Sequence, residues 1–196
     1  KLAADMTADE VGLPDNKTSY LSGEFTGTLI GADGSKAYAI YDLKKPLFDT
    51  LKNATVKDLD VKNVDIDSDE NAAAIAKVAD NAKINNVAVE GKISGRKSVA
   101  GLVVSATNTT IENSAFTGKL VANHTDSSAK YAGGIVGNLI GENARINKSK
   151  VDVKISSSSR NTDQVAGGIV GRLENGALVS NSVATGEIRN GQGYSR

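Results

Sequence analysis

The chain has 196 residues, with 23 Lys and Arg against 23 Asp and Glu and no net charge, enough for one domain with a core of its own. That balance, without a run of like charge, argues against nucleic acid and against a polybasic membrane tail, because phosphate binding rests on clustered Lys and Arg. The absence of Cys removes disulfides, thiolate metal sites and cysteine nucleophiles. No stretch approaches the ~18 apolar residues of a membrane span, and 4% aromatic content without Trp leaves few faces on which sugars or bases could stack.

No secretory signal opens the chain, and Lys1 stands where a translation start would place Met. The sequence therefore reads as a segment of a longer chain, with any export signal upstream. Met6-Thr7-Ala8-Asp9-Glu10-Val11 reads as a short helical turn ending before Pro14. Phe25–Ile30 and Tyr38–Tyr41 read as strands around the Gly31-Ala32-Asp33-Gly34 turn. Residues 1–46 match no repeat and are expected to form an N-terminal cap with the first strands, ahead of a repeat region over 47–196.

From Pro46 onward one unit recurs. Its opening copies are Pro46-Leu47-Phe48-Asp49-Thr50-Leu51, Ala74-Ile75-Ala76-Lys77-Val78, Ala100-Gly101-Leu102-Val103-Val104, Ala132-Gly133-Gly134-Ile135-Val136-Gly137 and Ala166-Gly167-Gly168-Ile169-Val170-Gly171. A polar turn follows each copy, built around Asn53, Asn81, Asn108, Asn143 and Asn175. The turns lead into the apolar anchors Val56, Ile84, Ile111, Ile146 and Val179, spaced 27 to 35 residues apart. Five residues beyond each anchor stand Val61, Val89, Phe116, Val151 and Ala184. Nine beyond stand Ile93, Leu120, Ile155 and Ile188, with Asp65 in the first copy and Ile66 beside it.

A period in this range means one supersecondary unit per repeat. β-branched residues at short spacing, with Asn and Gly at fixed places, indicate short strands joined by tight turns rather than a helical stripe. The expected fold is all-β: a right-handed parallel β-helix of about five coils whose inward Ile, Val and Leu form ladders along the axis. An antiparallel sandwich also has short strands and Gly-rich turns, but it gives no reason for one internal order to recur five times. No C-terminal cap follows Ile188, so the solenoid is expected to continue past Arg196.

Two insertions, Asn123–Lys130 and Ser156–Gln164, lengthen the third and fourth spacings at equivalent positions. Insertions so placed emerge on one face of a solenoid, often the binding face. The candidate binding residues are His124, Asp126, Arg160 and Asp163, against the plainer reading that both insertions are solvated loops.

Candidate catalysts are sparse. His124 is the one histidine, so no His-Glu-x-x-His zinc site exists in the chain. A Ser-His-Asp site would need His124 in a pocket, and it stands in a polar insertion instead. Asp65, Asp67 and Asp69 alternate, which in a strand puts them on one face. Oxygen ligands so placed could hold Ca²⁺, but with Lys57 and Lys62 interleaved upstream the stretch reads as a solvated edge. Asn-x-Ser/Thr triplets at Asn16, Asn53, Asn108 and Asn123 are expected by chance in so Asn-, Ser- and Thr-rich a sequence.

The Gly-Ile-Val-Gly segments at 134–137 and 168–171 resemble a short glycine-bracketed repeat of bacterial surface proteins. Phe25–Gly31, Ile40–Phe48 and Ala115–Leu120 are similar to the region preceding the catalytic domain of streptococcal immunoglobulin A proteases, which are cell-surface zinc metalloproteases. The resemblance covers nearly the whole chain. It implies a secreted, cell-wall-associated Gram-positive parent that cleaves host immunoglobulin A, or another host protein if the chain comes from a paralogue. The family's zinc-binding His residues and their Glu partners lie C-terminal to this region, and none maps here. This chain is thus expected to have no catalytic residue and no cofactor, with zinc in the parent's protease domain. Its implied partners are that protease domain and the host substrate, and it is expected to be monomeric. The alternatives are a stand-alone adhesin repeat binding host glycoprotein or matrix, and a polysaccharide-active enzyme.

Overall fold

The computed structural model describes residues 1–8, 18–34, 36–123, 130–158 and 164–191. The first 46 residues contribute β1 (Met6–Thr7), β2 (Leu21–Phe25), β3 (Thr28–Ile30), β4 (Ala32–Asp33), β5 (Lys36–Ala37) and β6 (Ala39–Tyr41). Then come β7 (Phe48–Lys52), β8 (Thr55–Ser68), β9 (Ala76–Asp80), β10 (Lys83–Gly95), β11 (Val99–Ala100), β12 (Val103–Thr107), β13 (Thr110–Glu112) and β14 (Ala115–Asn123). The last two repeats give β15 (Lys130–Gly133), β16 (Val136–Ile140), β17 (Arg145–Asn147), β18 (Lys150–Ser158), β19 (Gln164–Gly167), β20 (Val170–Glu174), β21 (Leu178–Ser180) and β22 (Val183–Gly191).

The fold is all-β with parallel sheets, as the repeats predict. Among the described residues β4 and β5 form the one antiparallel pair. Strands β2-β7-β9-β12-β16-β20 make one sheet, β11-β15-β19 a second, and the remaining strands other than β4 and β5 a third of eleven. From β9 on, the chain visits these sheets in an unvarying order, and each strand pairs with its counterpart one repeat away.

The register reproduces the repeat read from sequence. Leu29, Val56, Ile84, Ile111, Ile146 and Val179 are successive partners. So are Ile40, Val61, Val89, Phe116, Val151 and Ala184. A third ladder runs Ile66, Ile93, Leu120, Ile155 and Ile188. The offset at Asp65 has a local cause. Val61 faces Val89 and Val64 faces Gly91, so Lys62 and Asn63 together oppose Glu90. This β-bulge carries Asn63 at φ 55° and moves Ile66 into the ladder.

These ladders, with Phe48, Leu51, Leu102 and Leu139, form the buried core. It continues into residues 1–46: Leu2 N–H donates to Ile30 O at 2.8 Å, and the Phe25 and Phe48 rings lie 4.7 Å apart. These residues extend the same sheets without sharing the sequence repeat. Met6–Thr7 pairs with Ile40–Tyr41 as a strand, which corrects the expected helical turn at those two residues. Extended pairing satisfies the main chain of both partners, and only Ala8 has helical backbone before residues 9–17, which lie outside the described residues. At the far end, Leu173 and Ile188 occupy inward ladder positions but are 51% and 47% exposed.

Turning the corners takes left-handed backbone at two places per repeat. One series is Asn53, Asn81, Asn108, Gly141 and Asn175; the other is Asp58, Asn86, Asn113, Lys148 and Asn181. Asn and Asp tolerate this conformation better than other L residues. In the fourth repeat Gly141, not Asn143, fills the left-handed position, with Asn143 in the extended turn behind it. The glycine-bracketed segments answer a different need. A Cβ on Gly101 would stand 2.1 Å from Gly134 O and 2.4 Å from the Phe116 ring, and one on Gly134 would meet Gly168 O at 2.1 Å.

Candidate binding surface at the insertion corner

Both insertions leave the eleven-stranded sheet at one corner and return through the three-stranded sheet. Asn123, at the end of β14, pairs with Ser158 at the end of β18. Lys130, opening β15, pairs with Gln164, opening β19. Residues 124–129 and 159–163 are thus bracketed by paired main-chain positions one repeat apart. His124, Asp126, Arg160 and Asp163 lie outside the described residues, so only the strands that carry their segments are placed.

At the mouth of this corner Lys130 is only 3% exposed and Ser157 only 5%, so a charged and a polar side chain are drawn into the base of the loops. Tyr131 follows on β15. The Arg172 guanidinium, from β20, lies 5.4 Å from the centre of its ring, and its Nη1 donates to the Tyr131 hydroxyl. Glu174 stands 3.1 Å from Arg172 Nε and accepts from Asn138 Nδ2 at 2.9 Å. The Tyr131 hydroxyl, and after it the Glu174 charge, hold the guanidinium above its ordinary range.

Stacking alone brings these four together, because Asn138 and Arg172 are register partners on β16 and β20. Sequence reasoning missed them; the available signal was a Tyr and an Arg flanking repeat positions otherwise filled by small or apolar residues. A cation over an aromatic face can grip a peptide carbonyl or carboxylate.

The acidic stretch has its own partners. Asp65 accepts from Lys44 at 3.2 Å, Asp69 from Arg96 at 3.1 Å, and Glu70 pairs with Lys97. Asp65 and Asp67 are exposed on one side of β8, as alternation predicts. Among the described residues no three His, Asp or Glu side chains converge on a metal site. No helix there is long and apolar enough to cross a membrane.

Comparison with known proteins places the chain. The M26 IgA1-specific Metallo-endopeptidase N-terminal region matches residues 1–91, and the GLUG motif matches residues 163–189, which include the glycine-bracketed segment. Zinc metalloprotease ZmpC of Streptococcus pneumoniae is 73% identical over 195 residues, covering 100% of this chain. The chain is a region of the IgA1-protease and zinc-metalloprotease family. An immunoglobulin A1 protease of Streptococcus sanguinis is 46% identical over 96% of the chain. A solved structure titled IgA1 Protease matches with a TM-score of 0.91 and 43% identity, over 96% of this chain and 15% of that one. The chain spans about 10% of the length of these curated relatives.

Proposed function

We propose that this chain is a non-catalytic, right-handed parallel β-helix of a secreted, cell-wall-associated streptococcal zinc metalloprotease. It supports the protease domain as a rigid scaffold and engages a host protein at the insertion corner. The observation that carries the reading is the 73% identity, over the full chain, to a tenth of a zinc metalloprotease. The unvarying order of sheets supports a helical winding, and a right hand is the expected sense of parallel crossovers. On this reading zinc belongs to the parent's protease domain, in keeping with relatives named as zinc metalloproteases.

Support for substrate engagement comes from the corner itself. Loops held by paired strands one repeat apart act together, and a buried Lys130 and the Tyr131–Arg172 pair stand at their base. Immunoglobulin A of the first subclass, which is in the names of relatives 40–46% identical, is the first host protein to test. The greater identity to a relative whose name carries no such substrate favours a second reading, in which another host protein takes that place.

The test is an isotope-labelled amide spectrum of the chain titrated with intact immunoglobulin A1. Changes confined to residues 123–131 and 156–165 support substrate engagement at the corner. No change at high micromolar concentration sinks direct binding of immunoglobulin A1 by this chain. A parent protease lacking the chain separates the roles: unchanged turnover of a short peptide with a raised KM for the whole host protein fits engagement, while loss of both fits scaffolding alone.

A further inference from the structure

One corner of the stack differs from its counterparts in the earlier repeats. Left-handed Asn53, Asn81 and Asn108 are each followed directly by a buried inward residue, Ala54, Ala82 and Thr109. In the last repeat Ala177 takes that inward place: Leu178 N–H donates to Ala144 O as Lys83 N–H does to Ala54 O. Gly176 is inserted between Ala177 and the left-handed Asn175. It is itself left-handed, at φ 81°, and a Cβ on it would stand 3.0 Å from Glu142 Cγ in the repeat before.

Asn175 and Gly176 are both exposed. The turn is closed by Ala177 N–H donating to Glu174 O at 3.2 Å. Neither the Asn175 side chain nor the Gly176 N–H makes a hydrogen bond among the described residues. Other corners are tied. Ala82 N–H donates to Thr109 Oγ1 at 3.2 Å, and Ser114 N–H, after Asn113, to the Ser149 hydroxyl. Ala144 N–H, after Asn143, donates to Gly141 O at 2.9 Å. Asn86 gives its side-chain amide to Asp58 at 3.0 Å, and Asn181 gives its own to Asn147 at 2.9 Å.

An asparagine amide is a poor electrophile, and the nucleophile best placed to reach it is the main-chain nitrogen of the next residue. That nitrogen must lose its proton, and the backbone between the two must turn toward the side chain. A hydrogen bond from the nitrogen opposes both steps. Glycine permits the turn because it has no Cβ to clash.

We propose that Asn175 is a site of self-modification, losing its side-chain amide to attack by Gly176. The Gly176 nitrogen bonds to Asn175 Cγ, its proton passes to solvent, and the Cγ–Nδ2 bond breaks with release of ammonia. The resulting succinimide takes up one water. Opening at Cγ gives aspartate at 175; opening at the main-chain carbonyl gives isoaspartate, with the chain running through the side-chain carbon. The balance is one water in and one ammonia out. Aspartate suits a left-handed corner and adds a negative charge beside Glu174, the partner of Arg172. Isoaspartate adds a carbon to the main chain at the turn that sets Leu178 against Arg145 and Val179 against Ile146, so it works against the register of the last coil. The site stands on this corner alone and does not depend on the protease reading.

An internal control is built in. Asn190 opens the chain's other Asn-Gly pair, whose main chain lies in the β18–β22 ladder opposite Ser157 and Ser158. The test is peptide mapping of the folded chain during incubation at mildly alkaline pH, with ammonia release followed alongside. A synthetic peptide of residues 174–178 is the unfolded reference. The expected result is a gain of about one dalton at Asn175, split between aspartate and isoaspartate, at a rate within about tenfold of the peptide's. Asn53, Asn81, Asn108 and Asn190 should convert at least about tenfold more slowly than Asn175 until urea unfolds the chain. G176A should slow conversion at Asn175 by about tenfold or more, with its urea midpoint showing that it is folded. Asn175 left intact while the peptide converts would overturn the proposal. So would Asn190 converting as fast in the folded chain, or a folded G176A variant converting at the parent's rate.

Discussion

The Ser149 hydroxyl accepts the main-chain N–H of Ser114, one repeat before it, at 3.3 Å and donates to Asn147 O at 3.1 Å. Ser114 does the same for Val87 N–H at 3.2 Å, and Ser182 for Ser149 N–H at 3.0 Å. Each serine directly follows a left-handed corner, where the backbone turns away and the regular ladder bond is lost. The hydroxyl replaces it inside the stack, with Ser114 and Ser149 at 1% and 2% exposure. Ser149→Ala should therefore leave a buried N–H without a partner and cost about 1–3 kcal/mol, read from urea unfolding. A cost near zero would show that water supplies the bond.

Lys148 is the anomaly in its series. It holds φ 50°, where the other repeats place Asp58, Asn86, Asn113 and Asn181. A β-carbon in this conformation costs roughly 1–2 kcal/mol unless a short polar side chain offsets it. Lys148→Asn is expected to stabilise the chain by about 0.5–1 kcal/mol; an unchanged or lowered urea midpoint would mean that the Lys side chain contributes something the corner needs.

The ladders were legible because both their apolar identity and their spacing survive from repeat to repeat, and Val56, Ile84, Ile111, Ile146 and Val179 fall in one register row. The second left-handed series was not, because Lys148 interrupts its Asn and Asp. Its surviving sign is the Asn-Ser pair at 113–114 and 181–182, where corner and hydroxyl replacement stand side by side. Residues 1–46 hid their place because pairing constrains main chain and inward volume, not sequence identity: Leu29 and Ile40 join the ladders with nothing repeated around them. At the corner, equal placement of the insertions revealed that both loops emerge together. Arg172 and Tyr131, 41 residues apart, meet only through stacking, which no local pattern encodes.

Gly134 is fixed by space rather than by backbone freedom. Its hypothetical Cβ would lie 2.1 Å from Gly168 O and 2.5 Å from Val151 Cγ1, and neither can move without shifting a neighbouring repeat. Gly134→Ala is expected to cost about 1–3 kcal/mol through overpacking, with the urea midpoint as the readout. Gly34→Ala is a useful contrast, because nothing lies within 4 Å there and only its φ of 63° opposes a side chain. Comparable losses at both sites would mean that backbone strain, not stacking distance, is what the glycines relieve.

Asp49 links acid stability to the N-terminal strands. Lys77 Nζ lies 2.5 Å from Asp49 Oδ1, with the two side chains 20% and 26% exposed respectively, and Gly23 N–H donates to Oδ2 at 3.3 Å. Burial pushes the carboxyl up, but the hydrogen bond from Lys77, then those from Ser19 and Gly23, and the Lys77 charge together hold it below its ordinary value. A carboxylate whose pKa is depressed on folding adds stability above its unfolded pKa of about 3.9 and loses it as pH falls through the lower folded value. Asp49→Asn should thus destabilise the chain at pH 7 by about 1 kcal/mol. That difference should begin to shrink as pH falls below about 4, where the unfolded chain's carboxyl takes up its proton first, and be lost once the folded carboxyl, held lower, is protonated too. Melting curves of both proteins at several pH values measure it. A gap that stays constant down to pH 2 would locate the effect in packing rather than in the ionised Asp49–Lys77 pair.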